Sequence, residues 1–286
     1  MKLAYYPGCT LKTKALNLEE SALGALEALG VEVEEMPRWN CCGALFSLAD
    51  DDLIHHVAPV RNLIRAMENG CDTIVTMCSQ CYNTLTRANL LMRENTEKRD
   101  TLNDFMDEEP DYEGGVEVVH FLSFLRDQVG FDALAKKVVK PLKGMKVAPF
   151  YGCNLVRPDD AAIAGPNEPL LEDFVAAIGG EPVAFSAARE CCGSYQAIAH
   201  PDAGKDRAAA VLGAANRSEA DALVLSCPMC EYNLGTCQGR VIEGADGLKP
   251  VPTYYFTQLL AVALGLEPEV CRFDIGDKAA VEPKEG

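Results

Sequence analysis

Short apolar runs rich in β-forming residues alternate along the chain with longer segments in which apolar positions recur every three or four residues. The short runs cover residues 2–6, 31–36, 73–77 and 116–121, then 146–151, 182–185, 222–225 and 251–256, and they predict strands. Between and after them, residues 16–29, 52–69, 122–129, 169–178, 204–216 and 257–264 carry helical periodicity and end at glycine or polar breakers. Alternating strand and helix of these lengths predicts an α/β fold of parallel sheets with helices on both faces.

The order of elements occurs twice, which predicts two tandem Rossmann-like units, residues 1–143 and 144–286. The boundary is expected in the basic, proline-containing stretch 137–144. The acidic run 94–115 reads as a helix end followed by a solvated loop, and 274–286, without apolar periodicity, as a mobile tail.

Cysteine spacing repeats with the same period. Tyr6-Pro7-Gly8-Cys9, Cys41-Cys42-Gly43 and Cys78-Ser79-Gln80-Cys81 are answered by Tyr151-Gly152-Cys153, Cys191-Cys192-Gly193 and Cys227-Pro228-Met229-Cys230. The separations between these groups are 31 and 35 residues in the first copy and 37 and 34 in the second. In doubly wound sheets, ligands gather at the carboxyl ends of strands. Cys9, Cys78 and Cys227 follow predicted strands directly, and the paired cysteines lie in the loops after each second strand.

The 26 Lys and Arg against 43 Asp and Glu disfavour nucleic acid or an anionic membrane as the main partner. The start, MKLAYYPGCT, has no apolar run behind its charge and does not read as a signal peptide, and no stretch of ~18 apolar residues predicts a membrane-spanning helix. A cytoplasmic location is expected. There, clustered thiols are metal ligands or redox groups more often than disulfides.

Five thiols per copy exceed the four that close a tetrahedral zinc site, whereas an iron-sulfur cluster spreads thiolates over several metal ions. Iron-sulfur ligation is therefore the leading reading of the ten motif cysteines. Zinc in one or both halves, disulfides or plain core residues are the alternatives. Gly43 and Gly193 are expected to permit backbone conformations and a close approach that a side chain would block.

Cys71 reads as a core residue, Cys237 as a residue on a helix past the second site, and Cys271 as incidental. His55, His56, His120 and His200 are candidate proton donors for disulfide reduction, His200 first among them and His120 in an apolar run. Arg38, Arg157 and Arg189 lie near motif cysteines and are candidates for anion binding or for tuning a cluster, against the plainer reading of surface arginines. Dinucleotide, phosphate-loop and nucleophile-elbow motifs are missing from the sequence.

With both copies complete, residues 5 to about 266 resemble the CCG-domain family and, within it, the B subunits of heterodisulfide reductases. The resemblance implies two non-cubane four-iron four-sulfur (4Fe-4S) clusters. One would be held by Cys9, Cys41, Cys42, Cys78 and Cys81, the other by Cys153, Cys191, Cys192, Cys227 and Cys230, although relatives with zinc in one half exist.

It further implies a soluble complex in which a disulfide is cleaved between the clusters, the substrate being the heterodisulfide of coenzyme M and coenzyme B or an analogous bacterial disulfide. The implied partners are a small iron-sulfur subunit with two cubane clusters and a flavin subunit, fed by hydrogenase, formate or NADH-linked modules. Other relatives belong to glycolate, glycerol-3-phosphate and succinate oxidoreductases. The rival readings are an electron relay to a partner enzyme or quinone pool and a zinc-bound assembly subunit.

Overall fold

The computed structural model describes residues 2–44, 53–243, 245, 247–276 and 278–281. The first half runs β1 (Lys2–Tyr5), α1 (Gly8–Leu11), α2 (Leu16–Leu29), β2 (Glu32–Glu35), α3 (Val57–Glu68), β3 (Thr73–Thr76), α4 (Ser79–Glu94), α5 (Thr96–Phe105), β4 (Glu117–His120), α6 (Phe121–Phe124) and α7 (Phe131–Ala135). The second runs β5 (Lys146–Pro149), α8 (Leu170–Ala177), β6 (Glu181–Pro182), α9 (Gln196–Ala199), α10 (Pro201–Arg217), β7 (Ala222–Leu225), α11 (Pro228–Glu231), α12 (Gln238–Ile242), β8 (Thr253–Tyr255), α13 (Phe256–Ala263) and α14 (Pro268–Cys271). Residue 52, expected to open the helix before β3, lies outside the described residues.

Each half forms a four-stranded parallel sheet, ordered β2-β1-β3-β4 and β6-β5-β7-β8. All four residues of central β7 are buried, whereas edge β2, Glu-Val-Glu-Glu, is mostly exposed and its carboxylates discourage further pairing. In each sheet the chain leaves the first strand toward one edge and returns to pair on its other side. The strand ends β1/β3 and β5/β7 are therefore topological switch points, where a crevice opens between helices on opposite faces.

The halves pack through α2. Leu18, Ala22, Ala25 and Leu26 bury its apolar stripe, and Gly30 in a left-handed conformation ends it. Ser21 Oγ donates to Thr257 Oγ1 of α13 at 2.7 Å, and a Cβ on Gly24 would stand 2.7 Å from Val270 of α14. Phe256 packs at ring-centroid distances of 5.8 Å from His120, Phe121 and Phe174, joining both sheets in one aromatic core. The segment after α7 lies on the second half, with Val139 and Lys140 N–H both donating to Ala263 O.

Two expectations need correction. The acidic run 94–115 contains helix α5, capped by Asn95, whose side chain accepts from Lys98 N at 3.0 Å. Leu102, Met106 and Tyr112 are its buried anchors, and Tyr112 OH donates to Asn89 at 2.7 Å. So few apolar positions among so many charges leave no visible period.

The tail is docked through residue 281 rather than mobile, while residues 277 and 282–286 lie outside the described residues. Lys278 Nζ pairs with Glu231 at 2.7 Å, the two side chains being only 8% and 10% exposed, and donates to Thr253 O. Tyr254 OH donates to Ala279 O. A lone lysine in a charged tail gives no sign that its partner is buried.

Removing one member of a buried pair strands the other. Lys278→Ala is expected to lower unfolding free energy by about 3 kcal/mol in denaturant titrations, with Lys278→Met combined with Glu231→Gln recovering much of the loss. A single substitution without measurable cost would show the pair to be solvated.

Candidate metal centres

The motif cysteines cluster at the two switch points. Cys9 lies in α1 directly beyond β1, Cys78 caps the N-terminus of α4 directly beyond β3, and Cys81 sits in the first turn of α4. Cys41 and Cys42 come from the loop after β2. The second half repeats this arrangement: Cys153 follows β5, Cys227 caps α11, Cys230 lies within α11, and Cys191 and Cys192 come from the loop before α9. The strand residues before Cys78 and Cys227 are buried in the sheet, so these cysteines inherit a fixed origin.

In the first half the thiols string out in the order Cys9, Cys41, Cys42, Cys81, Cys78, each paired with the next. Cys9 and Cys41 Sγ are 3.4 Å apart, and Cys42 and Cys81 Sγ 3.5 Å. The second half has the same order, Cys153, Cys191, Cys192, Cys230, Cys227. Cys9 and Cys41 are exposed, whereas Cys42, Cys78, Cys81, Cys192, Cys227 and Cys230 are buried. Among the described residues no three His, Cys, Asp or Glu side chains close around a single point suited to one ion.

Proton sharing along these strings sets the charge. Cys42 is held well below the usual thiol range by hydrogen bonds from Cys41 and Cys81, and Cys81 is pushed up in return by Cys42 and Cys78. In the second half Cys191 falls to about 2 beside the Cys153 and Cys192 thiols, with help from the Gly193 N–H and Arg207. Cys227 falls to about 7 through Cys230, while Cys192 rises to about 12 through Cys191.

Only part of each string ionises at a time, because like charges this close oppose one another. Full ionisation of five thiols requires a multivalent positive core, and an all-sulfur donor set suits soft or iron-sulfur metals. The residues present fit such a group.

Glycines make room for the sulfur atoms. Gly8 (φ +71°) and Gly152 (φ +63°) adopt left-handed conformations, and a Cβ there would stand 2.8 Å from Cys81 Sγ and 3.3 Å from Cys230 Sγ. The recurrence of glycine before cysteine in both copies was the available signal for them. Gly43 and Gly193 also have positive φ, but the close approach at each is to a helix: Ala58 Cβ of α3 at 3.4 Å and Gly204 Cα of α10 at 3.0 Å. Asn233, buried and not singled out by sequence, donates to Cys192 O at 3.2 Å, Cys192 Sγ at 3.5 Å and Ser194 O at 3.0 Å.

The two strings meet across the boundary between halves. Ser79 N–H, next to Cys78, donates to the carbonyl of Ser226, next to Cys227, at 3.3 Å. Asn154 Nδ2, next to Cys153, donates to Gln80 Oε1 at 2.6 Å. Buried Tyr255 lies within electrostatic reach of Cys227, Cys78 and Cys230.

The remaining candidates lie elsewhere. His200 is exposed at the start of α10. His120 is fully buried, accepts from Leu122 N at Nδ1, and is held by burial at about 3, so it stays neutral. His55 and His56 precede α3, and His56 is lowered by burial and by Arg87.

Arg38 pairs with Glu68 at 2.7 Å, and Arg157 is exposed. Arg189 stacks 4.3 Å from the Tyr151 ring centroid and donates to Gly165 O and Glu168 O, which makes it a structural tie. Cys71 packs against the core, Cys237 is half-buried beside Tyr232, and Cys271 is buried with Sγ facing Gln258 O.

The profile of the cysteine-rich domain, CCG, matches residues 3–86 and 147–235. The chain belongs to this family. It is 32% identical over 268 residues to the 8-methylmenaquinol:fumarate reductase membrane anchor subunit of Wolinella succinogenes, covering 93% of each chain. It is 25% identical to the B subunit of a ferredoxin:CoB-CoM heterodisulfide reductase from Methanosarcina mazei, over 94% of this chain and 91% of the relative. A crystal structure of a hypothetical protein from Helicobacter pylori shares the fold with a TM-score of 0.77 at 15% identity, over 96% of this chain and 51% of that one. Among the described residues no helix is long and apolar enough to cross a membrane.

Gly8→Ala combines a strained φ with a methyl group directed at Cys81 Sγ. It is expected to cut metal bound per chain roughly by half, the share of one of two equivalent sites. Gly30→Ala has similar φ and open space around it, so it should cost stability alone. Equal metal loss in both variants would remove the thiol contact as the cause.

Proposed function

We propose that this chain is the iron-sulfur subunit of a heterodisulfide reductase-type oxidoreductase, reducing a disulfide at the junction of its two cysteine sites. The observation that carries the reading is the contact between the sites: Ser79 N–H on Ser226 O joins the residues beside Cys78 and Cys227. A substrate at that junction would reach both thiol strings.

Cys9, Cys41, Cys42, Cys78 and Cys81 would hold one non-cubane four-iron four-sulfur cluster, and Cys153, Cys191, Cys192, Cys227 and Cys230 the other. Such clusters, when bound, supply the two electrons that a disulfide consumes. The chain's own residues fix the thiols at strand ends, leave room for the sulfur atoms at Gly8 and Gly152, and exclude water around Cys42, Cys78, Cys192 and Cys227. His120, neutral and buried, is unsuited to deliver the accompanying protons. Exposed His200 keeps that candidacy only if substrate or solvent links it to the junction.

The reading includes a division of the chain at residues 143/144, a cytoplasmic complex, a two-cubane partner subunit and a flavin subunit. The substrate class is a low-molecular disulfide, such as a coenzyme heterodisulfide. A second reading, an electron relay between a quinol and a partner reductase, is favoured by the 32% identity to the fumarate reductase subunit.

Iron, sulfide and zinc content of anaerobically purified chain, with electron paramagnetic resonance before and after thiol addition under mild oxidation, tests the proposal. About eight irons, as two four-iron clusters require, and a thiol-dependent signal are expected. Eight irons without any thiol-dependent signal would favour the relay, and two zincs without iron would defeat both redox readings. Cys192→Ser is expected to abolish disulfide reduction and remove or convert the second cluster while the first cluster's spectrum persists. Retained activity with full iron would take Cys192 out of the ligand set.

A further inference from the structure

Most of the contacts between the two sites are donated by the first half, and Asn154 of the second donates back to Gln80. From the first half, the opening turns of α4 reach the second site with three buried polar side chains, Ser79, Gln80 and Asn83. Ser79 engages Ser226 O through both N–H and Oγ, at 3.3 and 3.5 Å, and its side chain also lies within hydrogen-bonding reach of Cys227. Gln80 Oε1 accepts from Asn154 Nδ2 at 2.6 Å, and Asn83 Nδ2 donates to Asn154 O at 3.1 Å and to Arg157 O at 2.7 Å. The backbone that follows Cys153, and the residue before Cys227, are thus held by the first half.

The repeat offers no counterpart. Ser79 and Gln80 correspond to Pro228 and Met229, of which the first has no N–H to donate and the second no strong hydrogen-bonding group. Asn154 corresponds to Thr10, whose hydroxyl lies 3.8 Å from its own neighbour, Cys9 Sγ. The second half therefore cannot return the clamp.

We propose that Ser79, Gln80 and Asn83 are positioning residues for the second metal centre, which makes that centre a composite of both halves. The second centre then assembles only on a folded first half, and changes in α4 reach it without touching a cysteine. This rests on the cluster reading of the ten cysteines, which the iron content of the unsubstituted chain tests separately.

The test uses the full chain, with the signals of the two centres assigned from Cys42→Ser and Cys192→Ser. Gln80→Leu removes the acceptor for Asn154, Gln80→Glu keeps it, and Met229→Leu alters the equivalent position in the other half. Iron per chain and the paramagnetic signal and midpoint potential of each centre are measured.

Gln80→Leu, and more strongly Gln80→Leu with Asn83→Leu, should shift the second centre's potential and reduce its occupancy at least twofold, leaving the first unchanged. Gln80→Glu should restore occupancy, and Met229→Leu should leave the first centre as it is. If the double variant fails to fold, the single Gln80→Leu decides. Both centres intact in Gln80→Leu, or both lost equally in a folded chain, would overturn the proposal.

Discussion

Ten sulfur atoms at the ends of two parallel sheets cannot all be anions without a multivalent positive charge between them, and the rest of the molecule is arranged around that constraint. Within each string, one thiol gains acidity only by taking hydrogen bonds from neighbours that lose it, as Cys42 does from Cys41 and Cys81. Arg207, near Cys191, is the basic side chain that contributes to that thiol's acidity, and it also pairs with Glu190. A single arginine at the margin cannot neutralise five thiolates. Under the proposed cluster ligation the charge would come from metal, and a chain of thiols paired in sequence would present it with donors spread over several positions.

The parallel sheet supplies the rigidity this needs. Strands β3 and β7 are almost wholly buried, and the cysteines that follow them cap helices whose first turns carry the second thiol of each Cys-X-X-Cys pair. A cap position fixes the backbone of one cysteine, and the helix fixes the other three residues on. The loops bearing Cys41-Cys42 and Cys191-Cys192 lack this support, and packing replaces it: Asn62 holds Asn40 N–H and O in the first half, and Asn233 holds Cys192 O and Ser194 O in the second.

Much of this was legible in the sequence because it is local or periodic. Strand-helix alternation predicted both sheets, with ends shifted by up to three residues, and spacing predicted which thiols gather. What stayed hidden depends on partners far away in the chain. Lys278 looks like tail charge until Glu231 meets it, and the run 94–115 hides three apolar anchors, Leu102, Met106 and Tyr112, among acids. The π-helical turn Tyr232–Thr236 after Cys230 alters local geometry without any change in composition, and it brings Asn233 back onto Cys192. Contact between the halves, through Ser79 and Ser226, cannot be read from either repeat alone.

Duplication explains why the halves match in their cysteines but not in their connecting residues. Each thiol string answers to the same charge constraint, so a lost cysteine has no local substitute. The residues beside the cysteines answer instead to the other half, and once two copies face each other across a junction they occupy different environments. One copy can keep donors and acceptors, as at Ser79 and Gln80, while the other takes Pro228 and Met229, because a polar group on both sides would leave one set buried without partners. Buried Asn83 and Asn233 diverge in the same way, the first donating across the junction and the second within its own site. Two cysteine sites built from one repeat thereby acquire different hydrogen bonding around sulfur, which would give the proposed clusters a physical basis for different potentials.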